Sequence, residues 1–251
     1  MQYFIHGDDF GRTAAKTEAI DRLLREGSIQ LCSLLVNLEN SGYAVSLAKA
    51  HGYQDKVCFH LNLSEGTPLT EDIRKTGLCN AAGNFRWANS KRILATCLSA
   101  GAIRAIRNEA EAQIHLFRKY GFSSHRLDSH DWVLFNLPVW LAVKPLLKEN
   151  GMETTRTACD SWIQRKPLSL RLYYRWMEKL IRKGMRMEET WAGGLRSFQR
   201  AMEKGLILPD TRAEIMTHPD FEDGELIDVS NHEHIPMREV LDAFRGFPVL
   251  T

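Results

Sequence analysis

Short apolar runs of strand length alternate with helix-patterned segments along most of this 251-residue chain, and several of those runs end in polar clusters. Tyr3 to His6 is one such run, closing on Gly7-Asp8-Asp9. Thr13 is placed to cap the helix that follows, in which Ala19, Ile20, Leu23 and Leu24 recur at helical spacing until Gly27 stops it. Ile29 to Val36 reads as a second strand and Ala44 to His51 as a second helix. Val57 to Leu63 reads as a third strand, with Val57, Phe59, Leu61 and Leu63 on one face and Cys58, His60 and Asn62 on the other. Strand, helix and strand in succession argue for parallel strands joined by helical crossovers, hence a barrel or a doubly wound sheet. The length suits a single α/β barrel domain over residues 1–251.

Further along, residues 65–90 carry Gly, Pro, Thr and Asn and read as a long loop of the kind that often serves function. Ser90 to Tyr120 is expected to be helical, with a break at Gly101, and Arg126 to Asp131 begins another strand-like stretch. A helix from Pro138 to about Glu149 follows, and Thr154 to Ala158, Glu214 to His218 and Pro248 to Leu250 read as later strands. Residues 161–204 differ: they read as a helical insertion, richer in Lys and Arg than in Asp and Glu, carrying Trp162, Tyr173, Tyr174, Trp176, Trp191 and Phe198. Its aromatics suit first a buried helix face, and failing that a surface for sugar rings or for a second copy of the chain, so a homodimer stays open.

The 33 basic and 31 acidic residues leave a formal net charge of +2, which gives no reason to expect a nucleic acid partner. No apolar run approaches the roughly 18 residues that span a bilayer, so no membrane partner is expected. The N-terminus opens on Tyr3-Phe4-Ile5 without a basic, then apolar, leader, and cytoplasmic residence is the expectation. Cys32, Cys58, Cys79, Cys97 and Cys159 are odd in number and form no C-x-x-C pair, which points to reduced, buried thiols.

In parallel α/β folds the C-terminal strand ends converge on the face that carries the active site. Four polar clusters stand at such ends: Gly7-Asp8-Asp9-Phe10-Gly11, His60-Leu61-Asn62-Leu63-Ser64, Asp128-Ser129-His130 and Thr217-His218-Pro219. Each has an ordinary explanation, the aspartates as helix caps and the histidines as hydrogen-bonded core or surface residues. Two adjacent carboxylates, however, are costly unless something cationic lies beside them, and a divalent metal would resolve that cost for one. One Asp and two His from three strand ends would form a triad that leaves open metal positions, as a hydrolase needs. The second carboxylate would then take a proton from water, and a separate acid would protonate the leaving group. His218 is the best-placed acid by chain position, and Arg156, at a strand end, could orient or tune the base.

At these residues the sequence resembles the YdjC-like family, the chitooligosaccharide or carbohydrate deacetylases, over essentially the whole chain. Asp8-Asp9-Phe10-Gly11 matches the family's Asp-Asp-Phe-Gly, and His60-Leu61-Asn62-Leu63-Ser64-Glu65-Gly66 its His-Leu-Asn-Leu-Thr-x-Gly. Asp128-Ser129-His130 matches its Asp-Ser-His. The resemblance implies a distorted barrel of mainly parallel strands, related to polysaccharide deacetylases. It implies one divalent ion on Asp9, His60 and His130, with Asp8 as base, His218 as acid and Arg156 beside the base. Where the family continues with Gln and His after Asp-Ser-His, this chain has Asp131 and Trp132, which bears on the sugar contacts.

The resulting expectation is metal-dependent hydrolysis of the N-acetyl group of an amino sugar, N-acetylglucosamine in a short oligosaccharide. Zinc and magnesium lead the candidate metals, with manganese, cobalt and nickel also compatible with two nitrogens and one oxygen. The alternatives are a hydrolase of another amide or ester on the same scaffold, and a carbohydrate-binding protein without turnover. A spare base at Asp8 argues against the last.

Overall fold

The computed structural model describes residues 1–86, 93, 98–158, 165–230 and 233–250. Its centre is a six-stranded parallel sheet of β1 (Gln2–Phe10), β2 (Leu31–Leu34), β3 (Val57–Leu61), β4 (Leu127–Ser129), β5 (Trp191–Gly193) and β6 (Arg212–Thr217), in the order β4-β3-β2-β1-β6-β5. The long strand β1 lies between β2 and β6, so the first strand end is central to the sheet. Single parallel bridges from Arg126 to Thr154 and from Thr154 to Arg186 extend the β4 edge towards the segment that leads into β5 at the other edge. The sheet therefore curls into the distorted α/β barrel expected from the sequence.

Helices α1 (Ala14–Arg25), α2 (Ser41–His51), α3 (Ala100–Lys119) and α4 (Leu137–Glu149) follow β1 to β4 in turn. Thr13 caps α1, its hydroxyl accepting from the Lys16 amide, and Gly27 ends it at φ +70°. The outward faces of the strands pack against these helices. Phe59 of β3 meets Phe117 of α3 with ring centroids 5.5 Å apart, and Ile5, Ile20, Leu23 and Ile29 are buried in the same apolar cluster. The inward faces are polar: His6, Asp8, Ser33, His60, Asp128 and Glu214 are all buried.

Several elements differ from the sequence reading. β1 runs on to Phe10 and includes both aspartates, because its pairing with β2 continues to Phe10 opposite Leu34 after pairing with β6 has stopped at Gly7. Thr154 to Ala158 and Pro248 to Leu250 supply single bridges rather than strands. Helix α3 starts at Ala100, capped by the Ser99 hydroxyl, so Gly101 lies in its first turn rather than at a break. Much of the expected 90–99 helix, with Cys97, lies outside the described residues, as do Cys159 and Trp162. Cys32, Cys58 and Cys79 are free and buried.

Residues 161–204 are not helical throughout. Helices α5 (Leu168–Ile181) and α6 (Leu195–Glu203) flank β5, which pairs with β6 as part of the barrel. Trp191 reads as a helix aromatic in sequence but is the first residue of that strand. Beyond β6 the chain makes an antiparallel sheet of β7 (Pro219–Glu222), β8 (Glu225–Ser230) and β9 (Glu233–Pro236), then α7 (Met237–Phe244). Among the described residues no helix is long and apolar enough to cross a membrane.

The turn leaving β1 depends on Gly11, which sits at φ +87° with Ser41 Cα 3.1 Å and Leu35 O 3.2 Å from where a Cβ would be. Both are backbone atoms that cannot swing away. Gly11→Ala should therefore cost about 1–3 kcal/mol, read as a drop of several degrees in thermal midpoint by circular dichroism. An unchanged midpoint would contradict this turn geometry.

Candidate active site

In a regular strand, consecutive side chains project to opposite faces, so Asp8 and Asp9 should not share a cavity. The register of β1 against β2 shifts between Gly7, paired with Cys32, and Phe10, paired with Leu34. This bulge is taken up where Asp9 adopts φ +70°, a left-handed conformation that aspartate tolerates better than most residues. Both carboxylates consequently come within electrostatic reach of His60.

Asp9 faces the histidines. Its Oδ1 is 2.8 Å from His130 Nδ1 and 3.7 Å from His60 Nε2, and ligand atoms of the three residues lie within 4.8 Å of one another. The 3.7 Å separation is too long for a hydrogen bond. Atoms bound to one ion by bonds of about 2.0–2.2 Å would stand roughly 3–3.5 Å apart. His60 Nδ1 is buried with no hydrogen-bond partner among the described residues. Burial lowers the His60 pKa to about 4, despite the charges of Asp8 and Asp9, so the ring is neutral as a metal ligand must be. With the proton that His130 Nδ1 shares with Asp9 Oδ1 released on binding, these residues fit a divalent ion.

Asp8 faces the barrel interior. Arg156 Nη1 donates to its Oδ2 and Nη2 to its Oδ1, both at 2.8 Å, in a bidentate pair. Arg156 Nε in turn donates to Glu214 Oε1 at 2.8 Å, and His6 Nδ1 lies 2.9 Å from the same oxygen. Arg126 donates to Asp128 at 3.3 Å and to Glu214 at 2.5 Å. His6, Asp128 and Glu214 also bring their ligand atoms within 4.8 Å of one another. Two guanidinium groups already neutralise those carboxylates, which leaves little attraction for a metal cation there.

His218 Nε2 stands 3.9 Å from Asp8 Oδ2, at the more open side of the site, with its side chain 31% exposed. The residue is fixed from the antiparallel sheet. Its amide donates to Asp228 Oδ1 at 2.6 Å, and Nδ1 shares a 3.2 Å hydrogen bond with Ser230 Oγ, which donates to Asp228. After His130, Asp131 and Trp132 follow one another at φ +52° and +58°, and Asp131 accepts from Ser64 Oγ. Two successive left-handed side-chain-bearing residues are strained backbone, of the sort found beside functional sites. The six residues singled out in sequence thus meet at one strand-end face.

A family model described as YdjC-like protein matches residues 3–245. The chain belongs to the YdjC-like family. Among its relatives, a carbohydrate deacetylase of Oceanobacillus iheyensis is 27% identical over 96% of this chain and 94% of that protein. A carbohydrate deacetylase of Xenopus laevis is 26% identical over 88% of this chain and 82% of its own length. A crystal structure of a proposed cellobiose-phosphate cleavage protein from Enterococcus faecalis superposes with a TM-score of 0.70 at 19% identity, covering 100% of this chain and 97% of that one. That likeness concerns the fold.

Residues of this YdjC-like site that sequence reading passed over include Arg12, Glu65, Arg126, Glu214 and the Ser230–Asp228 pair. Glu214 carried a signal, since a charged residue inside an apolar parallel strand must have a buried partner. His6 and Asp8 share the parity of Phe4 on β1, which would have placed them on one face. Arg12 and Glu65 sit in loops, where no periodicity applies.

The buried charges set a pH dependence. Burial raises the Asp8 and Asp128 carboxyls, but Arg156 outweighs it at Asp8, and Arg126 with Arg156 at Asp128, holding both well below the ordinary range. Glu214 is lowered in the same way, against burial, by Arg126 and Arg156. Burial works against charge on His130, but Asp9 and Glu65 raise it to about 10. At acid pH the unfolded chain binds protons that the folded carboxylates refuse, so their stabilisation is full above about pH 4–5 and lost below. The His130 contribution is full below about pH 6.5 and lost as pH rises through about 10. Buried, neutral His60 adds a contribution that is full above about pH 6.5 and lost as pH falls towards 4. Urea denaturation of metal-free protein should therefore show greatest stability near pH 6.5, declining on both sides. Stability that climbs steadily from pH 7 to 10 would contradict the His130 pairing.

Proposed function

We propose that this protein hydrolyses the N-acetyl group of an amino sugar, N-acetylglucosamine in a short chitooligosaccharide, releasing acetate. The observation that carries the reading is the division of the two adjacent aspartates. Asp9 Oδ1 faces two imidazole nitrogens, while Asp8 is paired with Arg156 and lies 3.9 Å from His218. Carbohydrate deacetylases among the relatives support the substrate class.

Asp9, His60 and His130 would hold one divalent ion, zinc or magnesium foremost, which when bound supplies Lewis acidity for activating water and polarising the acetyl carbonyl. Asp8, kept ionised by Arg156, takes the proton of the attacking water on its carboxylate. Arg156 is itself braced by Glu214, so the carboxylate stays aimed while its charge changes. His218 delivers a proton from Nε2 to the departing amine, its ring held through Nδ1 by Ser230. The strained turn at Asp131 and Trp132 lies directly after His130, where variation would alter sugar contacts without disturbing the metal ligands.

Metal-supplemented enzyme should release acetate from N-acetylglucosamine oligosaccharides. Activity on esters with none on any N-acetylated sugar would overturn the substrate class. Asp8→Asn should keep metal stoichiometry and lose about 10²–10⁴-fold in kcat; undiminished turnover would remove Asp8 as the base.

A further inference from the structure

His130 is held between two carboxylates. Nδ1 meets Asp9 Oδ1 at 2.8 Å, and Nε2 meets Glu65 Oε1 at 3.1 Å. Glu65 occupies the variable position of the His-Leu-Asn-Leu-Thr-x-Gly pattern, so the resemblance assigns it nothing. Its place is nevertheless rigid. The Glu65 amide donates to Asn62 Oδ1 at 3.1 Å, and Asn62 Nδ2 returns a 3.0 Å hydrogen bond to the Glu65 carbonyl. Asn62 is fully buried, only two residues beyond His60.

Arg12 completes the arrangement. It donates from Nε and Nη2 to both Glu65 oxygens, and from Nη1 to Asp9 Oδ2 at 3.0 Å. The four side chains form a closed ring, Asp9 to His130 to Glu65 to Arg12 and back to Asp9. With Oδ2 held by Arg12, Asp9 offers Oδ1 alone towards the histidines. With Nε2 donating to Glu65, His130 offers Nδ1. His60 has no equivalent brace, since its Nδ1 lacks a partner among the described residues.

We infer that Glu65 and Arg12 are positioning residues that orient His130 through Nε2 and restrict Asp9 to one ligating oxygen, so that metal affinity depends on them. This rests on the metal reading of Asp9, His60 and His130. Carboxylates behind a ligating imidazole fix its orientation and raise its basicity, and their loss typically weakens metal binding about 10–100-fold. Without Arg12, Asp9 would be free to rotate and Glu65 to swing into solvent, with the same loss.

The test is competition titration of Zn²⁺ against a chromophoric chelator on the full chain, with the visible spectrum of the Co²⁺-loaded protein as a second readout. Glu65→Ala and Arg12→Met should each weaken Zn²⁺ binding about 10–100-fold and shift the Co²⁺ bands. Glu65→Gln keeps an acceptor for Nε2 but not the charge, and should fall between Glu65→Ala and the unaltered protein. It also decides the matter if Glu65→Ala does not fold. Asp9→Ala separates the two claims. If it abolishes binding while folded Glu65 and Arg12 variants bind and absorb like the unaltered protein, the positioning role is overturned and the metal reading stands. If the unaltered protein itself binds no Zn²⁺ or Co²⁺, both fall.

Discussion

Two ionised carboxylates on consecutive residues cannot both be buried in one cavity unless each has its own cationic or metal partner, because their repulsion grows as water is removed. Much of this molecule is arranged around that constraint. The bulge in β1 turns Asp8 and Asp9 into the same region, and the surroundings then pull them apart electrostatically. Arg156 takes both oxygens of Asp8. Arg12 and His130 take one oxygen each of Asp9. The sheet order follows from the same need, since β6 beside β1 delivers Glu214 to hold Arg156 and, at its end, His218 towards Asp8.

The interior of the barrel is accordingly a fixed electrostatic device rather than an apolar filling. Arg126 and Arg156 thread between Asp8, Asp128, Glu189 and Glu214, and burial raises Glu189 towards its neutral form in spite of Arg126. Such networks are poor sources of net stability, because desolvation offsets most of the attraction. What this one supplies is direction: guanidinium groups braced on several sides cannot follow a substrate, so the charge they present to Asp8 is set before anything binds. The antiparallel sheet plays the matching part for His218, contributing Asp228 and Ser230 from β8. The apolar work of folding is left to the outer layer, where β3 meets α3 and β1 meets α1.

How much of this could be read in advance differs by level. The alternation of apolar runs and helical patterns announced parallel strands, and polar clusters at four run ends announced the face on which they meet. Asp8, Asp9 and His60 were legible because they end or interrupt apolar runs, and His130, Arg156 and His218 because they stand at strand ends; the family resemblance assigned the roles. The bulge was not, since nothing in Gly7-Asp8-Asp9-Phe10 distinguishes a continued strand from a loop; pairing of Phe10 with Leu34 on β2 decides it. β5 was hidden because a three-residue strand inside a basic, aromatic segment leaves too little alternation to outweigh helical neighbours. Arg12 and Glu65 were hidden for a different reason, being ordinary surface-type residues that only the approach of two loops makes neighbours.

The central claim is that the adjacent aspartates divide their roles, one towards a metal and one towards water. The most direct measurement is an anomalous-scattering map from crystals soaked in Zn²⁺ or Mn²⁺. The expected result is one ion bound by Asp9 Oδ1, His60 Nε2 and His130 Nδ1 at about 2.0–2.2 Å, with Asp8 still on Arg156 and outside the coordination shell. An ion bridging Asp8 and Asp9, or one seated among His6, Asp128 and Glu214, would contradict it.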